Sequence, residues 1–506
     1  MNQRSTILTL FPGLHKNFPA NYPEKGPSLF VQFIIKEKAY KMYGYFIPIV
    51  LAAQFILFKI LYPFPDLLPE SYNYIDTASQ HLAANVWPVG YGKFLWLTHC
   101  VSHSDTFLIA IQYFSLEAAL VYLFYTILYL YRPGHMARNI LFVLLFVNPL
   151  FLYLSNCILP DAIFATLSIV FIVQFCWMFH RPAISQVVIQ GLIIGLAFTI
   201  SFAAIFFPLV SVSGILLLKR KPMTSSIGWI TGTILIIFFS LYTIQKTKES
   251  TGSAQFSVLG SWQLANNALY MYGHAKVDTD RLPKETRILD RTTKQFFEDI
   301  PPVQRDLTSF AGAFFLIVPY SPLKVFMDRQ YKEEAPKQFE AWGKVAPIYA
   351  AYGKALIRQN PGAFIKYFLG PNIKNYFLPP LEKFEIYNLN YNDVPTIVQD
   401  WFDYITPDIA VISATFQGRL FYPYRFIFLA LNVYFWGCLT WFLFTGKLKQ
   451  MRPDLRRALI LGSCFLILHF GFNVTAAPVV LRSQVVPMIL LPAFCLLLRH
   501  SKTVYA

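Results

Sequence analysis

Long apolar runs alternate along this chain with short polar breaks. The clear apolar segments fall at about 44–64, 106–131, 139–157, 161–179, 226–245, 423–445, 458–476 and 482–498. A bilayer crossing needs about 20 mostly apolar residues, a length these runs meet or approach. Another run, 185–218, is too long for one ordinary span. His180 and Arg181 precede it, and Lys219, Arg220 and Lys221 follow it, so a single span would set two basic clusters on opposite sides. A hairpin of two short helices keeps both inside, where Lys and Arg accumulate. Ser201 lies near its middle, and Pro208 is placed to distort its second half. The pattern predicts ten spans.

Basic residues orient them. Lys36, Lys38 and Lys41 precede the first span, Arg132 and Arg138 follow the second, and 446–457 is a strongly basic turn. These places, with both termini, are predicted inside. The division expected is a cytoplasmic segment 1–43, a transmembrane module 44–245, an external soluble region 246–421 and a second transmembrane module 422–506. The loop 65–105, with Lys93 as its one formal cation, is predicted outside. Helical stretches are expected at 283–299 and 338–359, and the short apolar run 311–320 as an interfacial or re-entrant element. The expected fold is an all-α polytopic membrane protein with a largely helical external domain.

Composition narrows the class. Of 506 residues, 55% are apolar and 14% charged, too little polar surface for a soluble chain of this length. The formal charge of +16 lies at loop ends rather than in one patch, which argues for positive-inside topology over nucleic-acid binding. Six scattered cysteines form no CxxC pair and read as small buried hydrophobes, with no disulfide framework or zinc site.

The chemistry-bearing residues gather at the predicted outer face. In PESYNYIDTA (69–78), Glu70 and Asp76 follow the first span. Taken as a helix over 70–86, this stretch aligns Tyr72, Ile75, Ala78, Leu82 and Val86, an amphipathic face lying on the membrane surface. Pro69 begins it, Glu70 stands in its first turn, and the two acids fall on different faces. Glu70 is the preferred base and Asp76 the reserve. Either is also an ordinary helix-start or solvated charge. Asp161, after Pro160 at the start of a span, is a third acid on the same side, with helix-end stabilisation as its plainer role.

Arg482 opens the last span, where its fork of donors suits a lipid phosphate or, more plainly, headgroup snorkelling. Lys59 has the same two readings. Tyr91, in WPVGYGKFL (87–95), and His99 and His103, in LTHCVSHSD (97–105), complete the substrate-binding candidates. Two histidines at four-residue spacing make a weak metal signal, and no metal site is assigned. Glu117, mid-span, should face the bundle interior or a cavity, with His469 as a candidate partner.

Taken in order, ESYNYIDTA, WPVGYGKFL, NPLFLYLSN followed by PDAIF, GLIIGLAF (191–198) and LRSQVVP resemble the GT-C superfamily of polytopic glycosyltransferases. The similarity is to bacterial members related to the protein mannosyltransferase and aminoarabinose transferase families. It covers most of 44–245 and the last span, and matches 246–421 only in placement and size.

The resemblance implies an acidic base in the first external loop, best matched by Glu70. It implies a polyprenyl-phosphate sugar donor, and an active site facing the outside of the bacterial inner membrane. The acceptor is left open among lipid, glycan and protein. No cofactor is assigned, since none of the motifs quoted above supplies a clear Asp-x-Asp metal pair, and a divalent metal stays open but unsupported. Two rivals use similar surroundings. A transporter of lipid-linked sugars predicts polar residues through the bilayer and repeat symmetry. A polysaccharide ligase or polymerase predicts arginines in a large external loop, where Arg281, Arg287 and Arg291 lie.

Overall fold

The computed structural model describes residues 29–180, 184–218, 222–299, 313–331 and 338–503. Among these the chain is almost wholly helical, with two isolated bridges, Asp66–Cys157 and Asp393–Asp408, in place of sheet. Among the described residues eight stretches are long and apolar enough to cross a membrane: Tyr40–Leu61, Asp105–Tyr131, His135–Asn156, Asp161–His180, Ser226–Thr251, Phe416–Phe444, Pro453–Ala476 and Leu481–Leu498. This is the architecture of a polytopic membrane protein. The run 185–218 breaks at Ser201 into two shorter apolar helices, Ile184–Ile200 and Phe202–Leu217.

The first half of the chain comprises α1 (Leu29–Lys36), α2 (Lys38–Leu61), α3 (Pro69–Ser79), α4 (Val89–His99), α5 (Asp105–Tyr131), α6 (His135–Phe146), α7 (Pro149–Asn156), α8 (Asp161–His180), α9 (Ile184–Ile200), α10 (Phe207–Leu217) and α11 (Pro222–Thr251). Residues 29–43, expected as part of a polar cytoplasmic segment, are helical. Phe30 packs edge-on against Tyr129 at 5.3 Å and Trp177 at 5.0 Å, so apolar LFVQFII joins the bundle. Asn148 caps α7 by accepting the Leu150 N–H at 3.1 Å, which divides one apolar span between α6 and α7. Gly191 and Gly195 let α9 close on α11, where an added Cβ would come within 2.7 Å of the Gly228 carbonyl oxygen or of Leu235.

The region 246–421 divides by packing. Helices α12 (Val258–Tyr272), α13 (Arg287–Glu298), α14 (Phe314–Ile317), α15 (Pro322–Tyr331), α16 (Gln338–Gln359) and α17 (Pro361–Phe364) build a second core around Trp262, Tyr349 and Tyr352. The apolar run 311–320 contributes buried Phe315 and Leu316 to that core, and its first two residues lie outside the described ones. Beyond α18 (Gly370–Phe377), residues Leu381, Phe384, Tyr387 and Val398 belong instead to the bundle core, together with α19 (Thr396–Phe402). The chain closes with α20 (Phe416–Phe444), α21 (Lys447–Gln450), α22 (Pro453–Ala476) and α23 (Val485–Thr503).

Helix α8 sets the polarity of the bundle. Its 20 residues span about 30 Å, with Asp161 at one end and His180 at the other. At the His180 end, Nε2 meets the Asp454 carboxylate at 2.9 Å, and Arg452 reaches the same carboxylate at 2.7 Å. The basic turn 446–457 thus lies opposite the end that carries Asp161.

Candidate functional site

At the Asp161 end, three of the predicted residues converge. Glu70 stands in the first turn of α3, behind Pro69 at the first helical position, and Ser71 Oγ accepts the Leu68 N–H at 3.0 Å to fix the entry of the chain. Arg482 lies in the tight turn Leu481–Gln484 ahead of α23, held where the Leu481 N–H donates to the Pro380 carbonyl at 2.8 Å. Its Nη2 is 3.7 Å from Glu70 Oε1, and its Nη1 is 3.6 Å from Asp161 Oδ2. Both separations exceed hydrogen-bond length. The guanidinium is held between two acids by charge, and neither acid occupies its donors. Lys383, from the 381–385 turn, completes the cluster with a direct ion pair to Glu70 Oε1.

Four charges therefore balance in a mostly buried space, with side-chain exposure of 8% for Lys383, 12% for Glu70, 20% for Arg482 and 24% for Asp161. Burial pushes the Glu70 carboxyl upward, but Lys383 and Arg482 outweigh it and hold the group down at about 2. Glu70 is thus a carboxylate at neutral pH. Its second oxygen, Oε2, is buried without a hydrogen-bond partner, an expensive condition for a charged atom.

Asp66, which sequence reasoning passed over, lies beside this cluster at 1% exposure. It accepts the Asn388 N–H at 2.9 Å, while the Leu67 N–H donates to Asn388 Oδ1 at 2.5 Å. Asn388, Leu389 and Asn390 all adopt left-handed φ (48°, 51° and 67°) to make this reciprocal pair. Burial raises the Asp66 carboxyl to about 7 against the pull of Asn388, Gln417, Lys383 and Arg482. The available signal was an acid set among Phe64, Pro65, Leu67 and Leu68, where a solvated charge has no reason to be. For Lys383 it was a lysine between Leu381 and Phe384.

Helix α3 ends at Ser79, and His81 turns out of it with φ 52°, so the helix expected to reach residue 86 is shorter. Its buried residues are Glu70, Ser71, Tyr74, Ile75, Thr77 and Ala78. Tyr74 replaces Tyr72 as the aromatic on the inner face, because α3 packs under α4 and α19 instead of lying open on a surface. The two glycines of WPVGYGKFL serve this packing. A Cβ on Gly92 would come within 2.6 Å of Thr77 Cγ2, and one on Gly90 within 2.4 Å of the Thr199 carbonyl oxygen. Side chains at either place would push α4 off α3 or off the end of α9.

The remaining candidates lie elsewhere. Asp76 is half-buried and receives Gln80 Nε2 at 2.5 Å, apart from the Arg482 cluster. Tyr91 is fully buried and donates to Gln112 Oε1 at 2.7 Å, and Gln112 in turn donates to the Ser155 carbonyl at 2.7 Å. Tyr91 therefore braces α4 against α5 and the 155–157 turn. Lys59 Nζ lies 3.5 Å from Asn156 Oδ1. His99 stacks between His103, at 4.0 Å, and Trp401, at 3.9 Å, and His103 Nδ1 meets Asp403 at 2.6 Å. Among the described residues no group of three or more His, Cys, Asp or Glu side chains could hold a metal ion.

The candidate Glu117–His469 pair does not form. His469 contacts the Tyr376 hydroxyl at 3.1 Å and Asn473 Nδ2 at 3.2 Å, while Glu117 Oε2 is buried without a hydrogen-bond partner. Arg281 and Arg287 bond locally, to Asp278 at 3.2 Å and to the Asp280 carbonyl at 3.1 Å.

A cavity of about 410 Å³ opens beside Glu70, a size usual for small-molecule sites. It is lined by Glu70, Tyr72 and Asp76 of α3, by Trp87, which packs against both cores, and by Lys324 and Trp342 of α15 and α16. The chain matches no protein-family model and no curated protein.

Proposed function

We propose that this chain is an integral membrane glycosyltransferase of GT-C type, with about ten crossings and an external domain over the outer face of a bacterial inner membrane. It moves a sugar from a polyprenyl-phosphate donor to an acceptor hydroxyl on a lipid, glycan or protein. One observation carries the reading: Glu70 has a buried, unpartnered Oε2, and its Oε1 lies 3.7 Å from the Arg482 guanidinium, whose donors neither neighbouring acid engages by hydrogen bonding. A proton acceptor and an oxyanion clamp are thus set side by side, with a cavity adjoining.

The bonds follow from that pairing. Glu70 Oε2 takes the proton of the acceptor hydroxyl as its oxygen attacks the anomeric carbon. The bond from that carbon to the phosphate oxygen breaks, and its electron pair leaves with the polyprenyl phosphate, where Arg482 and Lys383 stabilise the added charge. A single displacement with one base inverts the anomeric configuration. Asp161 keeps the guanidinium oriented from its other side. In the resting site Glu70 is ionised but weakly basic, because two cations share it. A donor phosphate that draws Arg482 toward itself weakens this compensation and raises the proton affinity of Glu70. The base is strengthened when the donor is in place.

The test is transfer by the purified full chain from radiolabelled polyprenyl-phosphate sugars, comparing wild type with Glu70→Gln. The expected result is product from at least one donor, absent in the variant, with donor binding retained. Normal turnover in the variant would move the base to Asp76 or Asp161, and no transfer from any donor would remove the reading.

A further inference from the structure

The cavity beside Glu70 has a second charged wall that the transfer chemistry does not use. Lys324, on α15, extends over the indole of Trp342 with Nζ 4.3 Å from the ring centroid, and over Trp262 at 5.3 Å. The two indoles are stacked at 4.0 Å, and Trp262 Nε1 donates to the Trp342 carbonyl at 3.1 Å, so the platform under the lysine is rigid. Among the described residues no carboxylate lies within ion-pair distance of Lys324. A half-buried ammonium is held in place by aromatic faces alone, with its donors turned to no acid. Trp342 adds a second unsatisfied group, since its Nε1–H is buried without a partner. Both residues line the cavity, as do Glu70, Tyr72 and Trp87.

Aromatic faces suit the apolar faces of a sugar ring, and two single donors suit an oxyanion that is not clamped by a fork. A lone cation balances one negative charge. A dianion would meet Asp76 on the cavity wall with its second charge uncompensated.

We propose that this cavity is the acceptor subsite, and that Lys324 and the Trp342 indole N–H recognise a singly charged acid group, a carboxylate or a phosphodiester, on an acceptor carbohydrate. The assignment as acceptor side rests on the glycosyltransferase reading; the anionic-sugar site itself does not. Burial lowers the Lys324 ammonium to about 8, with Asp328 opposing weakly. Binding that needs the charged form holds below that pH and weakens as pH rises through it.

The test measures binding without turnover, by tryptophan fluorescence and calorimetry on the intact purified protein. Methyl glucuronoside supplies the carboxylate, a glucose methyl-phosphodiester supplies the phosphodiester, and methyl glucoside is the neutral control. At pH 7 one charged probe is expected to bind at least about tenfold tighter than the neutral one, and whichever does identifies the acid group. Lys324→Met keeps the alkyl stem on the indoles and loses this preference, Lys324→Arg retains it, and the wild-type preference declines above pH 8. Equal binding of charged and neutral probes, or an unchanged preference in a folded Lys324→Met, overturns the proposal. Failure of transfer in the Glu70 assay leaves this outcome standing as that of an anionic-sugar site in a protein of another activity.

Discussion

Two cationic sites, one lining the cavity through Lys324 and one meeting it only through Glu70, are built on opposite principles. Lys383 and Arg482 lie among Glu70 and Asp161, in a buried set whose formal charges cancel. Lys324 faces indoles, and among the described residues no carboxylate lies within ion-pair distance of it. A balanced cluster can shift charge from one member to another when a ligand phosphate arrives, which is what a reaction centre needs. An unbalanced cation waits for a charge it lacks, which is what recognition needs. The difference is testable because removing a member of the first set strands a buried opposite charge, while removing Lys324 strands none.

The largest expected effect is on turnover. Glu70→Gln is nearly isosteric and removes the proposed proton acceptor, so the proposed transfer should fall by a factor of at least about 100, the lower end of general-base contributions. The measurement is single-turnover transfer with donor bound, in parallel with Lys324→Met. Loss of chemistry in the first and of acceptor affinity alone in the second sustains the contrast. A matching loss of the chemical step in Lys324→Met would merge the two sites.

Next comes stability. Arg482→Ala leaves Glu70 and Asp161 facing each other across a mostly buried space, and should cost about 3–5 kcal/mol, the range for breaking a buried pair. Arg482→Lys keeps the charge without the fork, and should recover most of the stability but little donor affinity. The same logic predicts coupling between Glu70→Gln and Lys383→Met of about 1–3 kcal/mol in a double-mutant cycle, read by thermal unfolding in detergent. Additive effects would mean that the ion pair contributes nothing beyond its parts. The pH dependence has a definite sign: Glu70 is held below its ordinary value, so its contribution is fully present above about pH 4.5 and is lost as pH falls toward 2.

The contrast also explains what could be read in the chain. Glu70, Asp161 and Arg482 were legible because each charge stands at the edge of an apolar run, and because topology put all three edges on one side. Lys383 and Lys324 lie in the 246–421 region, where no periodicity fixes which face meets the bundle. Their contacts reach across 313 residues to Glu70 and across 62 and 18 residues to Trp262 and Trp342. Hydropathy placed the spans but could not divide 246–421 between two cores, since Leu381, Phe384 and Tyr387 look no different from Phe364 and Phe368 before packing is known. Helix α3 was overextended for a local reason, because apolar positions at three- and four-residue spacing continue to Val86 while the backbone turns at His81.

Asp66 supplies the smallest and most discriminating effect. It adds a third acid beside the balanced set, and burial raises it to about 7, the opposite direction from Glu70 a few residues away. An acid raised in the folded state binds its proton more tightly there than in the unfolded chain, so its protonated form favours folding at low pH. That contribution is lost as pH rises from about 4 toward 7. Asparagine at this place can still accept the Asn388 N–H and carries no charge to bury. Asp66→Asn should therefore shift the melting temperature by only a few degrees, upward at pH 8, and flatten its decline between pH 5 and 7. Thermal unfolding across that range, against wild type, measures it. A loss at pH 8 as large as that of Arg482→Ala would place Asp66 inside the balanced cluster as an ionised partner of Lys383 and Arg482, and the cluster would then carry one acid more than its cations.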